Sequence, residues 1–214
     1  MHLKINEIFF SIQGESLYAG RPCIFIRLSG CNLRCTYCDT RYAWDEGAAM
    51  PFREIIETVK QFDCRLVEIT GGEPLIQEAT PSLVAELIHS GYTVLMETNG
   101  SIDIRQLPVD CIKIMDIKCP SSNESGKNIL GNIPFLGLKD QVKFVISDFG
   151  DYCFARDIVK SHCMDLPEGN ILFSVNTAVL KPHELAEWIL KDSLDVRFHM
   201  QLHKIIWPEI ERGV

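Results

Sequence analysis

The chain has no long apolar run, no basic arm, no internal repeat and no low-complexity stretch. Each absence closes a class of function. Apolar segments such as Cys23-Ile24-Phe25-Ile26 are soon interrupted, here by Arg27. They fall well short of the roughly 18 apolar residues that a membrane-spanning helix needs. The N-terminus carries Lys4, Asn6 and Glu7 among its apolar residues, so no secretory signal core is expected and a cytoplasmic protein is. Lys and Arg number 21 against 29 Asp and Glu, giving a net charge of −8. That balance argues against broad binding to a nucleic-acid backbone but leaves room for a small anionic substrate, which one buried arginine can hold. Disorder is excluded as the main state, because 46% of the 214 residues are hydrophobic and only 23% charged.

What the chain has in excess is cysteine. There are nine, an odd number, so a complete disulfide framework is not available. In a reducing compartment, clustered cysteines point to metal binding or catalysis.

Short β-branched runs alternate with helical patterns. Strands are expected at Cys23–Leu28, Leu66–Thr70, Tyr92–Thr98, Cys111–Lys118, Gln141–Ile146, Asn170–Val175 and Val196–Leu202. Helices are expected over Phe52–Phe62, from a cap at Thr80 to Gly91, over Tyr152–Ser161, and from Pro182 onward. Cys119–Leu138, with its glycines, prolines and serines, reads as a long surface or lid loop. The alternation predicts an α/β fold with a largely parallel sheet. The repeats are too few for a closed eight-fold barrel, so a partial, open parallel β/α barrel is expected, with a doubly wound sheet as the alternative. No linker divides the chain, and residues 1–214 are read as a single domain. In either architecture the site lies at the carboxyl ends of the strands.

The first strand feeds the loop Cys31-Asn32-Leu33-Arg34-Cys35-Thr36-Tyr37-Cys38-Asp39-Thr40. Cys31, Cys35 and Cys38 are spaced so that one loop can wrap one metal centre, and thiolates suit iron–sulfur clusters or zinc. A closed structural zinc site needs four ligands, and no fourth stands at a matching spacing. A zinc loop completed by a distant Cys or His is the competing reading. Further on, Glu68-Ile69-Thr70-Gly71-Gly72-Glu73-Pro74 closes a strand with two glycines that permit close backbone approach to a ligand. On its own this would be a strand-ending turn.

Cys-Asn-Leu-Arg-Cys-Thr-Tyr-Cys resembles the signature of radical S-adenosylmethionine (SAM) enzymes, and Gly71-Gly72-Glu73-Pro74 resembles the GGEP element of the same superfamily. The resemblance implies that Cys31, Cys35 and Cys38 hold a [4Fe-4S] cluster whose open iron chelates SAM, that Tyr37 lies near the adenine and that Gly72 meets the methionyl group. Asp116, Ile117 and Lys118, and Phe173, Ser174, Val175 and Asn176, are expected as further SAM contacts at strand ends.

The segment Glu7 to Ser16, with Gln13-Gly14-Glu15, together with Arg27, Cys38-Asp39-Thr40, Gln201-Leu202-His203-Lys204 and Trp207-Pro208, closely resembles the 7-carboxy-7-deazaguanine synthase family. The resemblance runs from Glu7 to about Pro208. It implies a lyase of queuosine and deazapurine biosynthesis acting on 6-carboxy-5,6,7,8-tetrahydropterin. Hydrogen removal by a 5′-deoxyadenosyl radical, ring contraction and loss of ammonia would give 7-carboxy-7-deazaguanine, with SAM regenerated. Ile12, Gln13, Gly14, Arg27 and Thr70 would bind substrate. Thr40 would contact Mg2+. A homodimer is implied, with an external electron donor of the flavodoxin or reductase type. Independently of the resemblance, an isolated Arg27 in an apolar strand beside the cysteine loop suits a carboxylate, which a guanidinium grips with two parallel bonds; its ordinary role would be an ion pair. Two rival readings remain: an activase that installs glycyl radicals on a partner protein, suggested by Asp116-Ile117-Lys118, and a non-catalytic zinc module.

Overall fold

The computed structural model describes all of residues 1–214. The chain runs β1 (His2–Ile12), β2 (Pro22–Leu28), β3 (Ala48–Pro51), α1 (Phe52–Val59), β4 (Leu66–Gly71), α2 (Thr80–His89), β5 (Thr93–Thr98), β6 (Ile112–Ile117), β7 (Gln141–Ile146), α3 (Phe149–His162), β8 (Ile171–Val175), α4 (Pro182–Lys191), β9 (Arg197–His199) and α5 (Leu202–Ile206). All nine strands form one sheet in the order β3-β1-β2-β4-β5-β6-β7-β8-β9. From β2 to β9 every pairing is parallel, whereas β1 is antiparallel to both β2 and β3. The edge strands β3 and β9 do not pair with each other, so the sheet is an open α/β barrel and not a doubly wound sheet with a switch point.

Strand alternation decides what fills each side. On β2, Ile24, Ile26 and Leu28 join an outer apolar cluster of 19 buried residues under α1 and α2, while Cys23 and Phe25 face inward. A second outer cluster of 18 buried residues lies under α3 and α4. The inward face is plugged at its lower end by Cys23, Phe25, Leu66, Leu95, Ile112 and Ile114. Further along these strands the inward residues turn polar, at Arg27, Glu68 and Thr70, Glu97 and Asp116; Lys143 on β7 and Ser174 on β8 continue the tier. A period of two thus lays a charged tier over an apolar plug, at the carboxyl ends of the strands.

Some expectations need correction. β1 was not anticipated as an 11-residue strand, nor β3 at all. The last expected strand, Val196–Leu202, is only three residues long and gives way to α5. Thr80 does not cap α2; it sits inside the first turn and its hydroxyl donates to Pro74 O at 2.7 Å. The segment Cys119–Leu138 is no lid. It carries three short 3-10 turns with Ser122, Asn132 and Ile133 buried, and it braces the cysteine loop.

Candidate active site

A cavity of about 730 Å³ opens over the charged tier. Its walls include Cys31, Cys35 and Cys38 from the loop after β2, Gly71 and Gly72 after β4, Gln13 to Glu15 after β1, and Gln201, His203 and Lys204 around α5.

The cysteine loop is held by backbone bonds to fixed neighbours. Gly30, at φ +99°, donates to Ala43 O at 2.8 Å and accepts from Glu73 N at 2.8 Å. A side chain on Gly72 would collide with the Gly30 carbonyl and Cys31 Cβ, so the close approach of this turn to the loop requires glycine. Thr36 donates from its N–H to Ser122 O at 3.1 Å and from its hydroxyl to Ser121 O at 2.6 Å, and Arg34 N donates to Glu124 Oε1 at 2.7 Å. Glu73 is fully buried and its carboxyl accepts from Leu75 N, Asn99 N and the Thr98 hydroxyl at 3.0, 2.7 and 2.8 Å. It ties the glycine turn to the end of β5.

No three His, Cys, Asp or Glu side chains gather where a single metal ion would sit. The three thiols nonetheless line one cavity, an arrangement that suits a larger cluster and not one zinc ion. Burial pushes the Cys35 thiol up to about 11 and raises Cys31, so neither is an activated nucleophile; a metal must draw off their protons. The buried Tyr37 hydroxyl and Asp116 Oδ1 have no partner in the protein. Both residues line the cavity, as expected of groups waiting for a ligand.

Arg27 is fixed before any ligand arrives. Its Nε donates to Glu7 Oε1 at 2.8 Å, and the guanidinium lies 5.6 Å from the Phe9 ring centroid and 5.9 Å from that of Tyr42. The Tyr42 hydroxyl donates to the same Glu7 oxygen at 3.0 Å. The expected ion pair therefore exists; its hydrogen bond is made through Nε, neither Nη has a hydrogen-bond partner in the protein, and the residue lines the cavity. Thr40 caps nothing: its hydroxyl donates to Asp39 Oδ1 at 2.9 Å, and Asp39 Oδ2 pairs with Lys204 Nζ at 2.8 Å.

The floor is a ladder of buried charge. Lys143 Nζ pairs with Glu15 at 2.8 Å, with Glu97, and with Asp116 at 3.4 Å; Lys118 Nζ pairs with Asp116 Oδ2 at 2.9 Å. Burial works against the Glu15 carboxylate, but Lys143 and the Gln201 bond outweigh it and hold the group well below its usual range. Burial, with Glu97 and Glu15 nearby, pushes Glu68 well above its usual range, and its carboxyl accepts from Gln13 Nε2.

The sequence from residue 25 to 112 matches the family model of the radical SAM superfamily. The chain is 42% identical to the 7-carboxy-7-deazaguanine synthase of Koribacter versatilis, across 99% of this chain and 100% of that one. It is 43% identical to that of Chlorobaculum tepidum, across 99% and 97%. The chain belongs to the 7-carboxy-7-deazaguanine synthase family. Its fold is also that of QueE from Escherichia coli, with a TM-score of 0.79 over 94% of each chain at 22% identity.

Among the residues singled out from this family's motifs, Ile12, Gln13, Gly14, Arg27, Thr70, Tyr37, Gly72, Asp116, Lys118, Asn176, Thr40 and the three cysteines all line the cavity. Ile117, Phe173 and Val175 do not: alternation turns their side chains into the outer core. Ser174 faces inward but is fully buried, with its hydroxyl unpartnered, and does not reach the cavity. The residues that sequence reading missed are Lys143, the role of Glu15, and Glu7 with Tyr42 behind Arg27. A lysine set among Val142, Phe144, Val145 and Ile146 was the available signal for Lys143, of the same kind that exposed Arg27. The nine cysteines form no disulfide, and Cys111, Cys119 and Cys163 are simply buried.

Proposed function

We propose that this enzyme converts 6-carboxy-5,6,7,8-tetrahydropterin to 7-carboxy-7-deazaguanine with loss of ammonia. The observation that carries the reading is the meeting, in one cavity, of the cysteine loop, the Gly71-Gly72 turn and an arginine with its two-nitrogen end free. Cys31, Cys35 and Cys38 would hold a [4Fe-4S] cluster, which together with SAM would supply the one-electron chemistry for removal of hydrogen from the substrate.

The chain's own residues do the rest. Arg27 grips the substrate carboxylate with two parallel charge-assisted bonds. Thr40, backed by Asp39, offers hard oxygen to Mg2+, which the substrate carboxylate and water would share. Gln13, Gly14 and Thr70 meet the pterin through backbone and short side chains. Asp116, Lys118, Asn176 and Tyr37 receive the polar groups of SAM, and Gly72 lets its methionyl end approach. Burial, with Glu97 and Glu15 close by, raises the Glu68 carboxyl well above its usual range and so favours its protonated, hydrogen-bond-donating form. Loop walls around α5 exclude water from the reacting carbon. We read the chain as a cytoplasmic, single-domain homodimer fed by a flavodoxin-type donor. No helix is long and apolar enough to cross a membrane.

The test is anaerobic reconstitution with iron and sulfide, then reductant, SAM, Mg2+ and the pterin. A product lighter by one ammonia, lost when Cys31, Cys35 or Cys38 becomes Ala, supports the reading. Cleavage of SAM with the pterin intact would sink the substrate assignment and favour the glycyl-radical activase. A colourless, zinc-loaded protein would sink both.

A further inference from the structure

Lys143 stands on the inward face of β7 with its side chain 4% exposed, and its ammonium meets carboxylates from three separate elements. Glu15 comes from the loop after β1, Glu97 from β5 and Asp116 from β6. The ammonium donates hydrogen bonds to Glu15 and Glu97 and meets Asp116 as an ion-pair contact.

Its partners serve opposite ends of the cavity. Glu15 directly follows Ile12-Gln13-Gly14 and accepts from Gln201 Nε2 at 2.7 Å. Its loop is pinned by Ser16 in the left-handed region, φ +65°, and by the bond from Leu17 N to Gln141 Oε1 at 2.8 Å. Asp116 gives one oxygen to Lys118, at 2.9 Å, and keeps the other buried and unpartnered. The contact from Lys143 to Asp116, at 3.4 Å, is the long one of the set.

We propose that Lys143 is a positioning residue that couples the two ends of the cavity, so that SAM and the pterin each tighten the binding of the other. The inference rests on the reading above of which ligand takes which end. A donor group on SAM that reaches the free oxygen of Asp116 fixes that carboxylate. The ammonium then settles against a fixed partner, and Glu15 and Glu97 are ordered with it. The cost of ordering the floor is met once, by whichever ligand binds first, and the second binds to a floor already set. An ordinary buried ion pair would stabilise the fold without producing this reciprocity.

The test uses cluster-loaded protein under anaerobic conditions without reductant, so that nothing turns over. Calorimetry gives the affinity for 6-carboxytetrahydropterin with and without saturating SAM, and for SAM with and without the pterin. In the wild type each ligand is expected to tighten the other about tenfold, by the same factor in both directions. Lys143→Met should bring that factor close to one. Lys143→Arg, which keeps the charge but presents a planar fork, should leave a reduced factor. A wild type that binds both ligands independently overturns the proposal, even if the Met variant fails to fold. So does a folded Lys143→Met protein with its coupling intact. A wild type that binds SAM but no pterin overturns the substrate reading, and this inference with it.

Discussion

Replacing Arg27 with Met separates the proposed substrate role of this side chain from its structural one. The guanidinium is held by Glu7 through Nε and by the flanking rings of Phe9 and Tyr42, its other nitrogens have no hydrogen-bond partner in the protein, and the residue lines the cavity. Hydrogen bonds to a charged group are worth about 1.5–3 kcal/mol. With the two parallel bonds to one carboxylate counted as a single unit, because contacts in one network do not add, and at about 1.4 kcal/mol per tenfold, loss of the grip weakens pterin binding by at least about 10- to 150-fold. Because the arginine is already in place without ligand, little of this is spent on ordering it. The Arg27 and Glu7 side chains are only 14% and 19% exposed, so the stability cost should fall between the exposed-pair value of about 1 kcal/mol and the roughly 3–5 kcal/mol of breaking a buried pair. Tyr42 still donates to Glu7 after the substitution. Steady-state kinetics with pterin varied at saturating SAM should show the loss as a raised KM, with SAM affinity within about twofold of wild type. Arg27→Lys should fail almost as badly, because an ammonium drawn to Glu7 cannot offer two parallel bonds. A folded Arg27→Met protein with unchanged pterin KM, or one that loses SAM affinity equally, would refute the reasoning and return Arg27 to the role of an ion pair.

Other perturbations give separable results. Gly72→Ala should drive a side chain into the Gly30 carbonyl and Cys31 Cβ; iron content and visible absorbance after reconstitution should collapse while far-UV circular dichroism stays near wild type. Asp140→Ala removes the partner of Lys113, an ion pair at 3.0 Å with side chains 8% and 2% exposed, neither of which lines the cavity. It should cost about 3–5 kcal/mol in denaturant unfolding and leave both substrate affinities unchanged. Glu68 gives a pH test. Its folded pKa is raised above the usual 4.5, so its contribution to stability is full below that value and is lost as pH rises through the folded one. Glu68→Gln should therefore unfold at a higher temperature than wild type at pH 8, and the advantage should vanish below about pH 4.5. An equal difference at both pH values would mean that the carboxyl is not the source.

The open barrel was legible because its inner strands are short β-branched runs separated by capped helices, and Gln141–Ile146 falls on the residues expected. Most of the site was legible because its cysteine and glycine motifs are local. β1 was harder to read. Both of its faces carry mixed residues, as the intermediate burial of Asn6 to Phe9 reflects, so no clean alternation marks it. Asn123 at φ +61° and the three 3-10 turns of Cys119–Leu138 look like loop chemistry in sequence. They pack because Asn132 donates to Gly100 O and Ile102 O across a gap of about thirty residues, which no local pattern reports. The same limit hid the partner of Arg27. An arginine in an apolar strand announces a buried charge, but not that Glu7 on the neighbouring strand would neutralise one edge and leave the other free.

The floor of the cavity holds more negative than positive charge. Glu15, Glu97 and Asp116 face Lys118 and Lys143, and burial disfavours a further charge on Glu68. Buried ion pairs of this kind are weak contributors to stability, since desolvation offsets most of their attraction, and well-packed apolar residues would serve the fold as well or better. The two outer clusters of 19 and 18 buried residues already supply the fold with its apolar core. The charged tier therefore needs a functional cause. One surplus carboxylate, with the Asp116 oxygen still unpartnered, suits a bound cation, and the sulfonium of SAM is one. A site left slightly anionic attracts that ligand before any radical chemistry begins. Arg27, whose carboxylate partner Glu7 already neutralises it, remains able to bind a substrate carboxylate, because the two Nη groups are the unshared part of the fork. Both ligands then meet complementary charge over a floor that the first of them sets, provided that Lys143 keeps the floor from repelling itself apart.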